Sequence, residues 1–596
     1  MEDVQERSDL EPAYRWNLSS VFSSDQEWKE EFETTENRLE EFEEYSGHLL
    51  EDGETLLAAL KLREEIFRKV DVIFSYAKMK SDEDTRNQEY QAMSSQARGL
   101  YSSARSACSF IEPELQSASR EEISEMVANT PELEPYEHYF DDVMRLKPHT
   151  RSAEVEEVVA DLEEVLAAPG EIYNYMTNAD LEFPVVETPE GEEVKITLSN
   201  FVNLLKEEDR EFRHEVYDKF FSRFDSLSNT ISVSYENSVK SDNKLARIRN
   251  YDSARESSLN ENNIPLEVYD NLVGVVEDNL DSLHRHAELK RKALGYDELK
   301  MWDLYTPMSE EEIEDIPYEE AQEYVLDAVE PLGDDYRNDI SQGFDSRWID
   351  VYETPGKRAG AYSGGAYDTQ PFILMNYQGD VSSLYTLAHE LGHSMHSKLT
   401  SENQPYVYGD YSIFVAEVAS TTHEALLTEH LLEEIEDPTF RLHVLDHFLE
   451  IFRSTLYRQT LFADFEHRVH EMVESGEGLN AGRLNELYGS IKRKYYEPAD
   501  VDEKVEKEWM RIPHFYRAYY VYQYSTGVSA ALALSRKILK GGDSARENYL
   551  GMLKSGSSKY PLKALSDAGV DMSQPDTVGS ALSLYDEYLD EMAELI

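Results

Sequence analysis

One cysteine, Cys108, occurs in 596 residues. No intramolecular disulfide can form, so a disulfide-framed secreted scaffold is excluded and a reducing interior is the simplest setting. Glycine (27) and proline (20) are scarce, which excludes collagen-like and low-complexity architectures. No run approaches the roughly 18 apolar residues that a bilayer span needs. The opening MEDVQERSDLEPAYRWN is acidic, lacks an apolar centre and reads as no signal peptide. Basic residues are also in short supply: 57 Lys and Arg stand against 121 Asp and Glu, a formal net charge of −64. A field of that sign repels phosphate backbones and anionic lipid, so neither nucleic acid nor a membrane surface is expected as a partner.

What is present is a globular composition, 40% hydrophobic and 11% aromatic. The acids are spread along the chain, in EEFEEY (40–45), EVEEVVADLEEV (154–165), SEEEIEDIPYEEAQE (309–323) and EEIED (433–437). Such a shell repels itself in dilute buffer and is screened in concentrated salt, where the Debye length falls to about 3 Å near 1 M. A halophilic source is therefore expected, the alternative being an ordinary acidic protein.

Long segments without Gly or Pro carry apolar residues at three- and four-residue spacing, which predicts helices over Leu56–Tyr76, Val155–Leu166 and Leu266–Leu294. The stretch 131–142, with two prolines, reads as a break. LEFPVV and VKITL flank Thr188-Pro189-Glu190-Gly191 and predict a β-hairpin over 181–198. A second β region is expected at 351–379, with a strand at Pro371–Tyr377 and Gly364-Gly365 in the preceding loop. The fold class is mostly α with a small sheet. The expected division is a helical N-terminal layer (1–130), a connecting region with the hairpin (131–200) and a catalytic domain (201–596).

The strongest chemical signal is TLAHELGHSMH (386–396), which contains His389-Glu390-Leu391-Gly392-His393, an H-E-x-x-H pattern. On a helix, residues i and i+4 share a face, so two imidazoles can reach one zinc ion. Glu390 projects beside the metal, where a general base for the attacking water must stand. Leu384, Leu387, Leu391 and Met395 can bury the helix.

A catalytic zinc takes three protein ligands and an open position. His396 lies on a neighbouring face and reads as a polar flank residue; Asp410 lies in a loop with no helix to hold it. Glu417 sits among Phe414, Val415, Ala416, Val418 and Ala419, where a carboxylate is costly unless it binds a charge. It is the expected third ligand. Glu424, two turns on, fits a role accepting the free N–H of a ligand histidine. His423 and His430 read as surface residues.

HELGHSMHS followed by FVAEVAST and HEALL resembles the oligoendopeptidase F branch of the thimet-oligopeptidase-like zinc metallopeptidases. GKRAGAYSGG, PFILMNYQG and RIPHFYRAYYVYQYSTG (511–527) resemble it too. The resemblance implies zinc, one per chain, on His389, His393 and Glu417, with Glu390 as the base. It implies a mostly helical ellipsoid around a deep channel, and short peptides as substrates because such a channel excludes folded protein. It also implies a His and one or more Tyr of 511–527 that meet substrate. Pro513 can open a helix there, and imidazole or phenol donors can stabilise the oxyanion of peptide hydrolysis. His514 and Tyr522 are assigned that catalytic role, with Tyr516 and Tyr520 as further substrate-binding candidates. The strand 371–377 could pair with an extended peptide, or be satisfied entirely inside its own sheet.

The resulting expectation is a cytoplasmic zinc oligoendopeptidase. A zinc carboxypeptidase or dipeptidase is the rival, since Arg358, Arg511 and Arg517 could hold a terminal carboxylate. An inactive acidic helical binding protein is the remote one. The sequence is neutral on oligomeric state.

Overall fold

The computed structural model describes residues 5–309 and 313–596. Residues 1–4 and 310–312, which belong to acidic segments named above, lie outside it. The fold is mostly α, as expected. The helices that bear on function are α1 (Gly53–Glu83), α2 (Gln88–Ala107), α3 (Ala153–Tyr175), α4 (Ser228–Ile248), α5 (Ala254–Asn260), α6 (Leu266–Asp278), α7 (Leu280–Ala293), α8 (Val381–Asn403), α9 (Ile413–Glu434), α10 (Arg458–Glu474) and α11 (Tyr522–Leu553), the last interrupted at Gly542. No helix among the described residues is long and apolar enough to cross a membrane.

Contacts group the chain into two units. One comprises Met1–Pro148, Asp315–Leu431 and Leu534–Gly569; the other comprises His149–Glu314, Leu432–Ala533 and Val570–Ile596. The segments interleave, so this grouping and a contiguous division at 130 and 200 draw different lines.

In the first unit, α1 contains the predicted 56–76 helix. Asp52 caps it by accepting the Thr55 N–H at 2.8 Å. Leu56, Leu60, Ile66, Val70 and Ile73 on its inner side are all 2% exposed or less. The segment 131–142 is not a break: Pro131–Tyr136 form a 3-10 turn that runs into helix Glu137–Leu146. Proline suits the start of such a turn, where its missing N–H has no intrahelical partner to lose.

The predicted hairpin is present in the second unit as β1 (Val185–Glu187) paired antiparallel with β2 (Glu193–Lys195). Gly191 takes φ 87° in its turn, a conformation that side chains resist. The predicted helix 266–294 is two helices, α6 and α7, parted at Asn279 (φ −120°, ψ 30°).

The first unit also holds a three-stranded sheet of β3 (Ile349–Asp350), β4 (Tyr362–Gly364) and β5 (Phe372–Leu374). β5 is central, parallel to β3 and antiparallel to β4. Within the predicted strand 371–377, Phe372–Leu374 are thus paired on both sides. The N–H groups of Ile373, Met375 and Tyr377 donate to the carbonyls of Trp348, Asp350 and Val351. Of the two readings open for it, this is the strand satisfied within its own sheet rather than one that takes up a peptide; the edge belongs to β4, which contains Gly364 of the expected loop.

α8 starts at Asp380, whose carboxylate accepts the Ser383 N–H at 2.7 Å. Leu384, Leu387, Leu391 and Met395 are all 0% exposed, as their spacing predicts. Beside that face, α8 crosses α9 at Gly392, where a Cβ would lie 2.6 Å from Ser420 Cα and 2.8 Å from the Ala419 carbonyl. Only a residue without a side chain lets the two backbones meet. Gly392→Ala is expected to lower the unfolding temperature, since overpacking costs about 1–3 kcal/mol. Gly99→Ala, where a Cβ meets nothing within 4 Å, should raise it slightly. Thermal unfolding followed by circular dichroism checks the contrast.

Candidate metal centre and active site

The crossing at Gly392 delivers Glu417 of α9 to the face of α8 that carries both motif histidines. The Nε2 atoms of His389 and His393 lie 3.2 Å apart. Glu417 Oε2 is 3.5 Å from His389 Nε2 and 3.7 Å from His393 Nε2. Three ligand atoms held about 2.0–2.1 Å from one ion at tetrahedral angles would be about 3.3–3.4 Å apart. The set therefore fits a divalent ion without rearrangement. Ser420 Oγ, 3.3 Å from Glu417 Oε2, donates to this carboxylate.

The neighbours set the proton positions. His389 Nδ1 donates to Glu424 Oε1 at 3.0 Å, which turns Nε2 toward Glu417 and His393. Burial disfavours the charge on His389, but Glu424 and then Glu417 outweigh it and raise its pKa to about 9; a bound metal would displace that proton. His393 is pressed down to about 3 by burial and by the His389 charge, and a backbone hydrogen bond to Ala416 orients it. Glu390 is 7% exposed. Burial pushes its pKa up to about 7, against the pull of His389. The backbone N–H of Ser363, in β4, donates to its carboxylate. The sheet edge and the candidate base are therefore hydrogen-bonded to one another. A cleft of about 1280 Å³ in the same unit is lined by Tyr362, Ser363, Gly364 and Gly365, with Lys78 and Arg358.

Two histidines depart from the sequence reading. His396 is no polar flank: it is 1% exposed, stacked on Tyr411 with ring centroids 3.6 Å apart, and burial presses its pKa to about 3. His423 is no surface residue. Its Nδ1 donates to the Ala388 carbonyl at 3.1 Å and its Nε2 accepts from Tyr336 OH at 2.7 Å. It braces α8 one residue before His389, a function visible in the sequence only as the fixed spacing of His423 and Glu424. His430 is half-buried and Asp410 exposed; neither joins the ligand cluster, as expected.

The segment 511–527 falls in the second unit. Pro513 opens a 3-10 turn, Pro513–Tyr516, and α11 begins only at Tyr522. His514 and Tyr520 are half-buried with parallel rings, centroids 6.2 Å apart, and Tyr524 stands edge-on to both. Tyr522 is 2% exposed and packs on Tyr269 at 5.1 Å. Tyr516 stacks on Tyr173 of α3 at 4.5 Å. The structure thus brings His514 to Tyr520, not to Tyr522.

His286, Asp446 and Glu450 in the second unit also place ligand atoms close together. There the positive charge is supplied by the protein, with Lys290 Nζ 3.1 Å from Glu450 and Arg453 bonded to both its oxygens.

A sequence profile of peptidase family M3 matches residues 203–584, and one described as Oligopeptidase F matches 114–183. The chain belongs to peptidase family M3. It is a metallopeptidase, and its relatives span it end to end. Oligopeptidase PepF of Bacillus subtilis is 42% identical over 594 residues, covering 100% of this chain and 89% of that one. The structure of oligoendopeptidase-F from Enterococcus faecium is 37% identical with a TM-score of 0.75, covering 96% of this chain and 99% of that one. A solved chain from Chlamydophila abortus is 31% identical with a TM-score of 0.91 over 100% of both. Membership retires the inactive-scaffold reading, and the named relatives favour an endopeptidase over a carboxypeptidase or dipeptidase.

Glu417→Ala should abolish stoichiometric metal binding, read as metal per chain by elemental analysis after gel filtration. Glu424→Ala should retain the site but weaken metal affinity about 10- to 100-fold, read by competition with a chelating dye.

Proposed function

We propose that this metallopeptidase is a zinc-dependent oligoendopeptidase that hydrolyses internal bonds of short peptides in the cytoplasm, with one Zn2+ per chain. The observation that carries it is the convergence of His389, His393 and Glu417 within 3.7 Å of one another, with Glu390 beside them. Zinc bound there would acidify water and polarise the scissile carbonyl. The remaining work belongs to side chains. Glu390, fixed by the Ser363 N–H, takes the proton of the attacking water and returns it to the leaving amine. Glu424 keeps His389 in the tautomer that presents Nε2. β4 offers its backbone to an extended peptide, which binds main chain without demanding particular side chains. That suits an enzyme acting on varied short sequences.

His514 keeps its proposed role as a donor to the developing oxyanion. The partner is Tyr520 rather than Tyr522, because the Tyr522 ring is enclosed at 2% exposure while Tyr520 lies half-buried alongside His514. Tyr516 remains a substrate-side candidate on weaker ground, since its ring is stacked on Tyr173. The net charge of −64 supports a high-salt setting.

Glu390→Gln should abolish cleavage of a quenched fluorescent peptide while metal content stays at one per chain; residual wild-type turnover would remove its role. Tyr520→Phe should lower kcat about a hundredfold with little change in KM, as expected for loss of one oxyanion donor. Tyr522→Phe should leave kcat close to wild type. Cleavage sites mapped on an end-blocked peptide should be internal, and activity should persist in molar salt. Loss of activity in molar salt would overturn the halophilic reading alone.

A further inference from the structure

Four non-glycine residues take positive φ among the described residues: Asn250, Asn263, Arg347 and Tyr519. Asparagine tolerates that region, but a bulky aromatic does not adopt it unless its surroundings compel it. Tyr519, at φ 53° and 2% exposed, is the third residue of the turn Arg517–Tyr520, closed by the Tyr520 N–H donating to the Arg517 carbonyl at 3.2 Å. Positive φ at the third residue marks a type II turn, where Gly or Asn is usual. In the commoner type I turn, the peptide joining the second and third residues is rotated by about half a revolution.

That peptide, Ala518–Tyr519, is held at both ends. Its carbonyl accepts from Ser258 Oγ of α5 at 2.9 Å. Its N–H donates to Glu466 Oε1 of α10 at 2.8 Å. Glu466 is 1% exposed, and its other oxygen has no hydrogen-bond partner. Among the described residues its hydrogen-bond partner is the Tyr519 amide, without which this deeply buried carboxyl would be unsatisfied. Burial, then nearby Asp242, holds this carboxyl well above the usual carboxylate range, so it serves as a neutral acceptor. The Tyr519 ring is further fixed by His467 Nδ1, 3.2 Å from its hydroxyl.

The turn connects the Pro513–Tyr516 segment, which carries His514, to the start of α11 at Tyr522. Tyr520 follows the clamped peptide directly, and the Arg517 guanidinium lies over its ring at 3.7 Å. We propose that Glu466 and Ser258 are positioning residues that clamp the Ala518–Tyr519 peptide in its strained orientation and thereby hold Tyr520 against His514 for catalysis. The catalytic half of this statement rests on the oxyanion role proposed above; the clamp itself does not.

The test uses the full chain carrying Glu466→Gln, Glu466→Leu and Ser258→Ala. Gln keeps the acceptor at neutral charge, so Glu466→Gln should stay close to wild type in every readout. Glu466→Leu and Ser258→Ala should each lower kcat on the order of tenfold to a hundredfold, as small misplacements do, with KM nearly unchanged. Hydrogen exchange without substrate should show the 517–521 amides opening about tenfold faster in both, which is one lost hydrogen bond. Ser258→Ala removes a single hydroxyl and secures the result if Glu466→Leu fails to fold. Wild-type kcat and exchange in Ser258→Ala would overturn the proposal. So would equal losses in Glu466→Gln and Glu466→Leu, or faster exchange with unchanged kcat. A wild-type chain that cleaves no peptide would refute the functional reading, while the exchange comparison would still decide the clamp.

Discussion

A carboxylate set among apolar side chains is the feature on which the rest depends. Phe414, Val415, Ala416, Val418 and Ala419 beside Glu417 are 9% exposed or less, while the Glu417 side chain, 25% exposed, reaches out of that apolar stretch toward the two imidazoles. Among the described residues no Lys or Arg pairs with Glu417; its ion-pair partners are the two motif imidazoles. A bound cation would replace the proton that Glu424 and Glu417 favour on His389, leaving two imidazoles and one carboxylate as its ligands. The contact of α8 with α9 at Gly392 is the steric condition for it, because any Cβ there would hold the backbones apart.

Around that cluster, polar groups are arranged to fix orientation. Glu424 and the Ala416 backbone each hold one ligand histidine, His423 ties the Ala388 carbonyl, and Ser363 ties Glu390. Hydrogen bonds of this kind contribute modestly to stability but heavily to preorganisation, since a ligand ring free to rotate would have to be ordered by the metal itself. The second unit uses a similar logic without metal. Buried Glu508 is satisfied by Lys492, Arg458, Arg511 and the Tyr488 hydroxyl. The strained peptide before Tyr519 is held by a serine and a buried carboxyl.

The helices, the hairpin and the burial of the motif helix were all legible as periodicity, because each is decided by contacts within a few residues. The misreadings are equally local in cause. Leu266–Leu294 reads as one helix because nothing in its composition marks the change of direction at Asn279. His396 and His423 read as exposed because imidazole is polar, whereas each is enclosed by partners remote in sequence, Tyr411 and Tyr336. The strand at 371–377 was found, but its place in the middle of the sheet depends on β3 and β4, which pattern alone does not order.

The chain's sequence by itself determined the metal-binding chemistry: an i, i+4 histidine pair with an adjacent glutamate, and a lone carboxylate in an otherwise apolar helix start. Spacing along one helix is a covalent property, so it can be counted off. Which tyrosine faces His514, which strand has a free edge, and how a tyrosine comes to sit in a glycine's conformation were decided only by the tertiary structure. Those answers depend on which distant side chains press against the segment, and burial of that kind is not written in the spacing of its own residues.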